Sequence, residues 1–262
     1  MKFVISPAKT LDFSPVTPKV AVSMPAYLAQ SAQLIEALRK ISPPQLASLM
    51  HISDALAACN VARYHAWQVP FTTENAKPAV LAFMGDVYAG LNASSLDAEG
   101  LHFAQQSVRI LSGLYGVLKP MDLIQAYRLE MGTALKLGAH QNLYQFWGAQ
   151  PATALAAELE ADRTPVLLNL ASTEYFKAVS LPALRHAVIT PVFHDEKSGQ
   201  YKVISFYAKR ARGMFVRYAI DHRITEPDAL RGFDVAGYRY IAADSTPNRW
   251  LFRRSESAAK GA

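Results

Sequence analysis

Cysteine is almost missing from this 262-residue chain: the single one, Cys59, lies in an alanine-rich stretch with helical character. One thiol excludes an internal disulfide framework and fits a reducing compartment. Long apolar runs are missing as well. No window approaches the roughly 18 residues that a membrane-spanning helix needs, and the opening run Lys2–Ile5 gives way at once to Ser6-Pro7 with no apolar signal core. The expectation is a cytoplasmic protein without a membrane partner. Metal-ligand spacing is absent too. His51, His65, His102, His140, His186, His194 and His222 are dispersed, with no His-Glu-x-x-His pattern and no paired cysteines, and His194-Asp195-Glu196 reads as a solvated turn. Neither metal nor cofactor is expected. The chain also lacks a phosphate-binding glycine loop, a dinucleotide fingerprint and a nucleophile motif, so no reaction class is readable from it.

What is present is globular. Hydrophobic residues make up 51% and charged residues 18%, enough apolar surface for one large core. No linker, repeat or low-complexity block divides residues 1–262, which points to a single domain. The net charge of +6 is unevenly placed. From Tyr201 onward there are 12 Lys/Arg against 6 Asp/Glu, leaving 15 of each before it. A basic final third suits an anionic partner such as nucleic acid, and it equally suits a solvated face.

The pattern predicts an opening strand at Lys2–Ile5 that presents Lys9 beyond its carboxyl end. Helices are predicted over Ala26–Ile41, Pro44–Ile52 and, after an N-cap at Ser53, Asp54–Trp67. Ala79–Met84 and Val108–Leu111 read as buried strands, Leu143–Arg163 as a long helix, Pro165–Leu170 as a strand, and Glu174–Val179 as a short helix. His186–Phe193 and Gln200–Tyr207 flank Lys197-Ser198-Gly199 as a hairpin, followed by a helix over Ala208–His222. Early alternation of strands and helices with a late hairpin predicts an α/β fold: a mixed sheet flanked by helices, with the early helices as a lobe.

Charge stands on faces that should be apolar. A helix from Ala208 puts Lys209 and Arg212 on one arc with Phe215, Val216, Ala219 and Ile220, while Arg210 and Arg217 fall elsewhere. Cations on an apolar arc are costly unless they are paired or line a cavity. Glu174 and Lys177 stand three residues apart just beyond the strand Pro165–Leu170, at the sheet edge where ligands bind in open α/β sheets. Arg128 and Glu130 share a parity if Tyr127–Met131 is extended, so they face one way as a pair. If Lys9, Arg128, Lys177, Lys209 and Arg212 converge with Glu130 and Glu174, five cations meet two carboxylates. Such a surplus favours phosphate or another polyanion.

These residues fall within recognisable runs. Ile5-Ser6-Pro7-Ala8-Lys9-Thr10-Leu11, Gly85-Asp86-Val87-Tyr88, Leu111-Ser112-Gly113-Leu114-Tyr115-Gly116, Tyr127-Arg128-Leu129-Glu130-Met131-Gly132, Asn169–Ser172 with Glu174–Lys177, and Phe206–Lys209 with Ala211–Gly213 together resemble the YaaA family of bacterial peroxide-stress proteins. The resemblance spans nearly the whole chain. It implies a cytoplasmic protein that lowers unincorporated iron under hydrogen peroxide and so limits DNA damage. It also implies DNA binding through a positively charged cleft and a helix-hairpin-helix element. With no metal-ligand pattern in the chain, an effect on iron would be indirect.

Two segments compete for the hairpin element, which offers backbone N–H groups to phosphates. Residues 44–67 have the helices, with the turn expected near Leu56–Asn60 and Arg63 at the phosphate-facing end. Ser112–Gly116 has the glycine spacing. The expected partner is double-stranded DNA, bound largely without regard to sequence. The competing reading is an enzyme acting on a small phosphorylated or nucleotide-like anion, with Lys9 or Lys209 meeting an electrophile and Glu130 or Glu174 moving protons. Oligomeric state is not encoded in any pattern found.

Overall fold

The computed structural model describes residues 1–180 and 182–260. Its centre is an eight-stranded sheet: β1 (Lys2–Ile5), β2 (Val108–Ser112), β3 (Gly116–Leu118), β4 (Val166–Leu170), β5 (Ala187–Lys197), β6 (Gln200–Lys202), β7 (Arg239–Tyr240) and β8 (Arg249–Arg254). The strand order is β7-β8-β5-β4-β1-β2-β3, with β6 paired to β5. β1 is parallel to both β2 and β4, and β4 is parallel to β5. Every residue of β1 and β2 is buried, which is why neither shows a two-residue alternation: strands covered on both faces are mostly apolar throughout, and the buried Lys2 and Arg109 are paired with Asp162 and Glu158. β5 instead alternates buried and half-exposed positions and continues antiparallel into β6. The turn between them, Ser198-Gly199, has φ of 54° and 76°, the twist that tight hairpins require. The sheet is mixed, as expected.

Helices cover it. Those used below are α1 (Leu28–Arg39), α2 (Pro43–Met50), α3 (Asp54–Ala66), α4 (Asp86–Leu91), α5 (Ala98–Ser107), α6 (Gln150–Glu160) and α7 (Ser205–Asp221). The early helices α1–α3 share the core of the sheet and are tied to it by polar contacts. Ser31 Oγ donates to the Leu114 carbonyl at 2.9 Å, and Trp67 Nε1 donates to Tyr115 Oη at 3.1 Å. One continuous apolar cluster runs from Phe3 to Phe252, so the described residues form a single compact domain.

His194-Asp195-Glu196 is not a solvated turn but part of β5, with Asp195 buried; and the strand read over Gln200–Tyr207 ends at Lys202, with Ser205–Tyr207 opening α7. Three more local expectations need correction. Ala79–Met84 is not one strand: Ala79–Ala82 is a helical turn, and only Phe83–Met84 is extended, paired antiparallel with Thr10–Leu11. A short apolar run cannot tell strand from buried helix, and here Ala79 and Val80 give their N–H groups to the Asp122 and Pro120 carbonyls. The long helix over Leu143–Arg163 is two, Leu143–Trp147 and α6, parted by Gly148 at φ 51°. The break lets Trp147 bury fully and donate to the Gly113 carbonyl at 3.0 Å.

The third concerns the hairpin element. Ser112–Gly116 is the buried turn between β2 and β3, so it offers no free backbone N–H row to a ligand. Within 44–67 the turn is His51–Ser53, not Leu56–Asn60, which lies inside α3. His51 adopts φ 52° there, the left-handed position usually filled by glycine. α2 and α3 thus form a helical corner, and the glycine-lined hairpin of a helix-hairpin-helix is not seen.

Candidate functional site

The connection from β1 leads to β2 on one side, and that from β4 leads to β5 on the other. β1 and β4 are neighbours, so their carboxyl ends flank a topological switch point, where open α/β sheets hold ligands. Ser6 and Ser172 follow those two ends. Ser6 Oγ accepts from the Ser172 N–H at 2.9 Å and lies 3.3 Å from Ser172 Oγ, joining the two loops. Above them opens a cleft of about 450 Å³. Its lining includes Lys9, Asp86, Arg128, Glu130, Glu174, Lys209 and Arg212.

Glu130 is the hub of one wall. It accepts Lys9 at 2.8 Å and Arg128 at 3.0 Å. Burial alternates from Tyr127 to Glu130, with Tyr127 and Leu129 buried and Arg128 and Glu130 half-buried, which puts Arg128 and Glu130 on one side as their parity predicts. The Arg128 carbonyl accepts from Tyr64 of α3. Its Nε is buried and has no hydrogen-bond partner among the described residues.

Glu174 lines the cleft as well. Its Oε1 accepts from the Gly132 N–H at 2.8 Å, and among the described residues no cation lies within 4.0 Å of it. α7 closes the cleft with Lys209, exposed, and Arg212, half-buried. Arg212 likewise has no carboxylate within 4.0 Å among the described residues. Burial pulls its guanidinium below the usual range because desolvation penalises the charged form.

The helix carrying Arg212 is fixed by backbone contact. A Cβ on Gly213 would stand 1.8 Å from the Val87 carbonyl oxygen, and one on Gly90 would stand 2.1 Å from that of Arg210. α4 and α7 therefore touch backbone to backbone at two glycines. The same α4 is preceded by Gly85 at its N-cap, whose φ of 142° is open to glycine and strained for other residues. The cleft floor is phenolic. Tyr88 donates to the Ser6 carbonyl at 3.0 Å, and the Tyr127 and Ser112 hydroxyls are hydrogen-bonded at 2.6 Å. Burial pushes the Tyr88, Tyr127 and Tyr175 phenols up, so the floor is neutral at physiological pH.

The family model for the peroxide stress protein YaaA matches residues 1–244. This chain belongs to the YaaA family. It is 56% identical over 258 residues to a UPF0246 protein of Paracidovorax citrulli, covering 98% of this chain and 100% of that one. A UPF0246 protein of Ralstonia pickettii is 55% identical over 254 residues, 97% and 99% of the two chains, and one of Dechloromonas aromatica is 54% identical over 257 residues, 98% and 100%.

Of the residues picked out for this YaaA-family chain, Lys9, Arg128, Glu130, Glu174, Lys209 and Arg212 come together. Lys177 does not: it is exposed, with Nζ 4.8 Å from the Tyr144 ring centroid. Arg63 is also outside the lining, and its Nη1 donates to Asn60 Oδ1 at 3.2 Å. Asp86 was not singled out, although it stands in the Gly85–Tyr88 run. The lining thus holds four cations and three carboxylates, not five and two, and the surplus among lining side chains falls from three to one. The positions of Arg210 and Arg217 agree with their helical phase. Arg210 is exposed, and Arg217 pairs with Asp221 at 2.8 Å and donates to Ser95 Oγ at 2.6 Å.

Proposed function

We propose that this peroxide-stress protein acts on DNA, limiting unincorporated iron and oxidative DNA damage, and that the cleft at the carboxyl ends of β1 and β4 takes a phosphate of the backbone. The observation that carries the reading is Arg212, half-buried at the cleft wall with no carboxylate beside it among the described residues. A desolvated, unpaired guanidinium is costly until an anion arrives, and it offers a bidentate fork to phosphate. Exposed Lys9 and Lys209 flank the mouth and would supply sequence-independent attraction.

The cleft's size favours a second reading. About 450 Å³ falls within the range of small-ligand sites and matches a single nucleotide-sized anion better than a duplex. In that case the Lys9–Glu130 contact at 2.8 Å is the pair that could exchange a proton with a bound substrate. Binding isotherms across a salt series separate the two. For DNA, Lys209→Ala with Arg212→Ala should weaken binding to unrelated duplexes alike and flatten the salt slope by about 0.9 for each phosphate no longer neutralised. An unchanged slope removes the cleft from DNA binding. Saturable binding of a nucleoside monophosphate that the double variant abolishes would favour the small-anion reading.

A further inference from the structure

The segment Tyr201–Arg212 carries four cations, Lys202, Lys209, Arg210 and Arg212, and no acid. None of the four has a carboxylate within 4.0 Å among the described residues. The carboxylates nearest in register are engaged elsewhere. Asp195, opposite Lys202, accepts from Arg254 and Tyr238, while Glu196, opposite Tyr201, accepts from the Glu256 N–H at 3.1 Å. The same segment exposes large apolar side chains: Tyr201 at 40%, Val203 at 55% and Phe206 at 53%. Apolar surface left open between unpaired cations is costly in a free protein and suits a partner that is both anionic and flat.

Phe206 is not a loose side chain. Its ring centroid lies 3.9 Å from that of Tyr207. The Arg254 guanidinium lies 4.6 Å from the Tyr207 ring and 4.6 Å from that of Tyr238, and Arg254 is itself held by buried Asp195 at 2.6 Å. A chain of contacts between planar groups therefore runs from a fixed charge in the core to an exposed ring, with the Phe206 and Tyr207 planes tilted by 41°. Phe206 precedes Lys209 by three residues on α7, so the two are surface neighbours, and Lys209 lines the cleft.

We propose that Phe206 is a stacking platform for an unpaired nucleobase, so that the cleft and the basic segment beside it take single-stranded or frayed nucleic acid in preference to intact duplex. This rests on the phosphate-binding reading of the cleft and adds the base. A paired base keeps its faces inside the duplex stack, whereas an unpaired one offers a face to Phe206 while Lys209 and Arg212 meet its phosphate.

Fluorescence anisotropy with labelled oligothymidine and a blunt-ended two-strand duplex of equal nucleotide count tests it. The parent should bind the single strand more tightly. Phe206→Ala should weaken single-strand binding about tenfold and leave duplex binding unchanged. Phe206→Trp should retain affinity, and oligothymidine should quench its emission beyond any change in the parent; Trp67, Trp147 and Trp250 are buried, so contact quenching by a bound base reports on the new indole. Equal loss on both nucleic acids, or no quenching, overturns the platform while leaving phosphate binding intact. If neither nucleic acid binds the parent at low salt, the underlying reading falls too. If Phe206→Ala instead releases the protein from vesicles of anionic lipid, the exposed ring serves a membrane surface and the proposal is wrong.

Discussion

Arg254 and Arg212 both bring a guanidinium against the core, and their surroundings are opposite. Arg254 is 5% exposed; its Nε donates to Asp195 at 2.6 Å, and Asp195 also accepts from Tyr238 at 2.9 Å. The rings of Tyr207 and Tyr238 lie beside the guanidinium. Around them Phe193, Phe215, Phe233 and Phe252 pack ring to ring with centroid separations of 5.2 to 6.0 Å. Arg212 is also removed from water in part, yet no acid within 4.0 Å balances it among the described residues. Burial of a cation therefore does not mark a site. What marks it is a desolvated charge whose balancing partner is missing, because folding alone then gains nothing from keeping it.

The largest expected effect lies on the balanced side. Asp195→Asn leaves Arg254 buried without its counter-charge and should cost about 3–5 kcal/mol, read as a fall in the denaturant midpoint; a loss under about 1 kcal/mol would show that the two arginines are not so different. Next comes Gly213→Ala. Its Cβ would meet the Val87 carbonyl at 1.8 Å, so α7 must shift, with a stability loss of about 1–3 kcal/mol and weakened anion binding as Arg212 moves.

Arg212→Met sharpens the contrast. Removing an unbalanced cation should leave stability within about 0.5 kcal/mol of the parent while anion affinity drops by about 1.5–3 kcal/mol. A thermal melt alongside a binding isotherm checks both halves. Glu130→Gln is smaller: it loosens Lys9 and Arg128, and because Lys9 is largely exposed the stability cost should be about 1 kcal/mol or less.

The smallest effect is a pH dependence. Hydrogen bonds from Ser14 and then the contact with Lys77 hold the Asp12 carboxyl at about 2, below its ordinary 3.8. A carboxyl lowered by folding stabilises above its unfolded value and loses that contribution as pH falls through the folded one. Parent and Asp12→Asn should therefore differ in stability above about pH 4 and converge near pH 2. A difference that persists below about pH 2 would assign the effect to something other than this titration.

Legibility followed the range of the cause. β1, β4 and the buried side of α7 were readable because burial on both strand faces, or along one helical stripe, writes itself into local periodicity. The Arg128–Glu130 pair was readable from parity alone. Lys177 was misplaced because helical spacing paired it with Glu174, whereas that helix is only Thr173–Phe176 and Glu174 turns to the Gly132 N–H instead. Asp86 carries no mark of the cleft in the sequence, since nothing local brings Gly85-Asp86 next to Lys9. The segment Leu143–Arg163 looked continuous until Gly148, where burying Trp147 overrides helical propensity.

The sequence alone determined which residues are apolar at periods of two and 3.6, and so the sheet's buried strands, the covering helices and the charged positions that violate those patterns. Tertiary structure decided which of the violators meet. The ion pair of Lys9 with Glu130 joins residues 121 positions apart, and the backbone touch of Gly213 and Val87 spans 126. Separations of that size leave no periodic trace, because they are set by strand order and helix packing and not by any local preference of the chain.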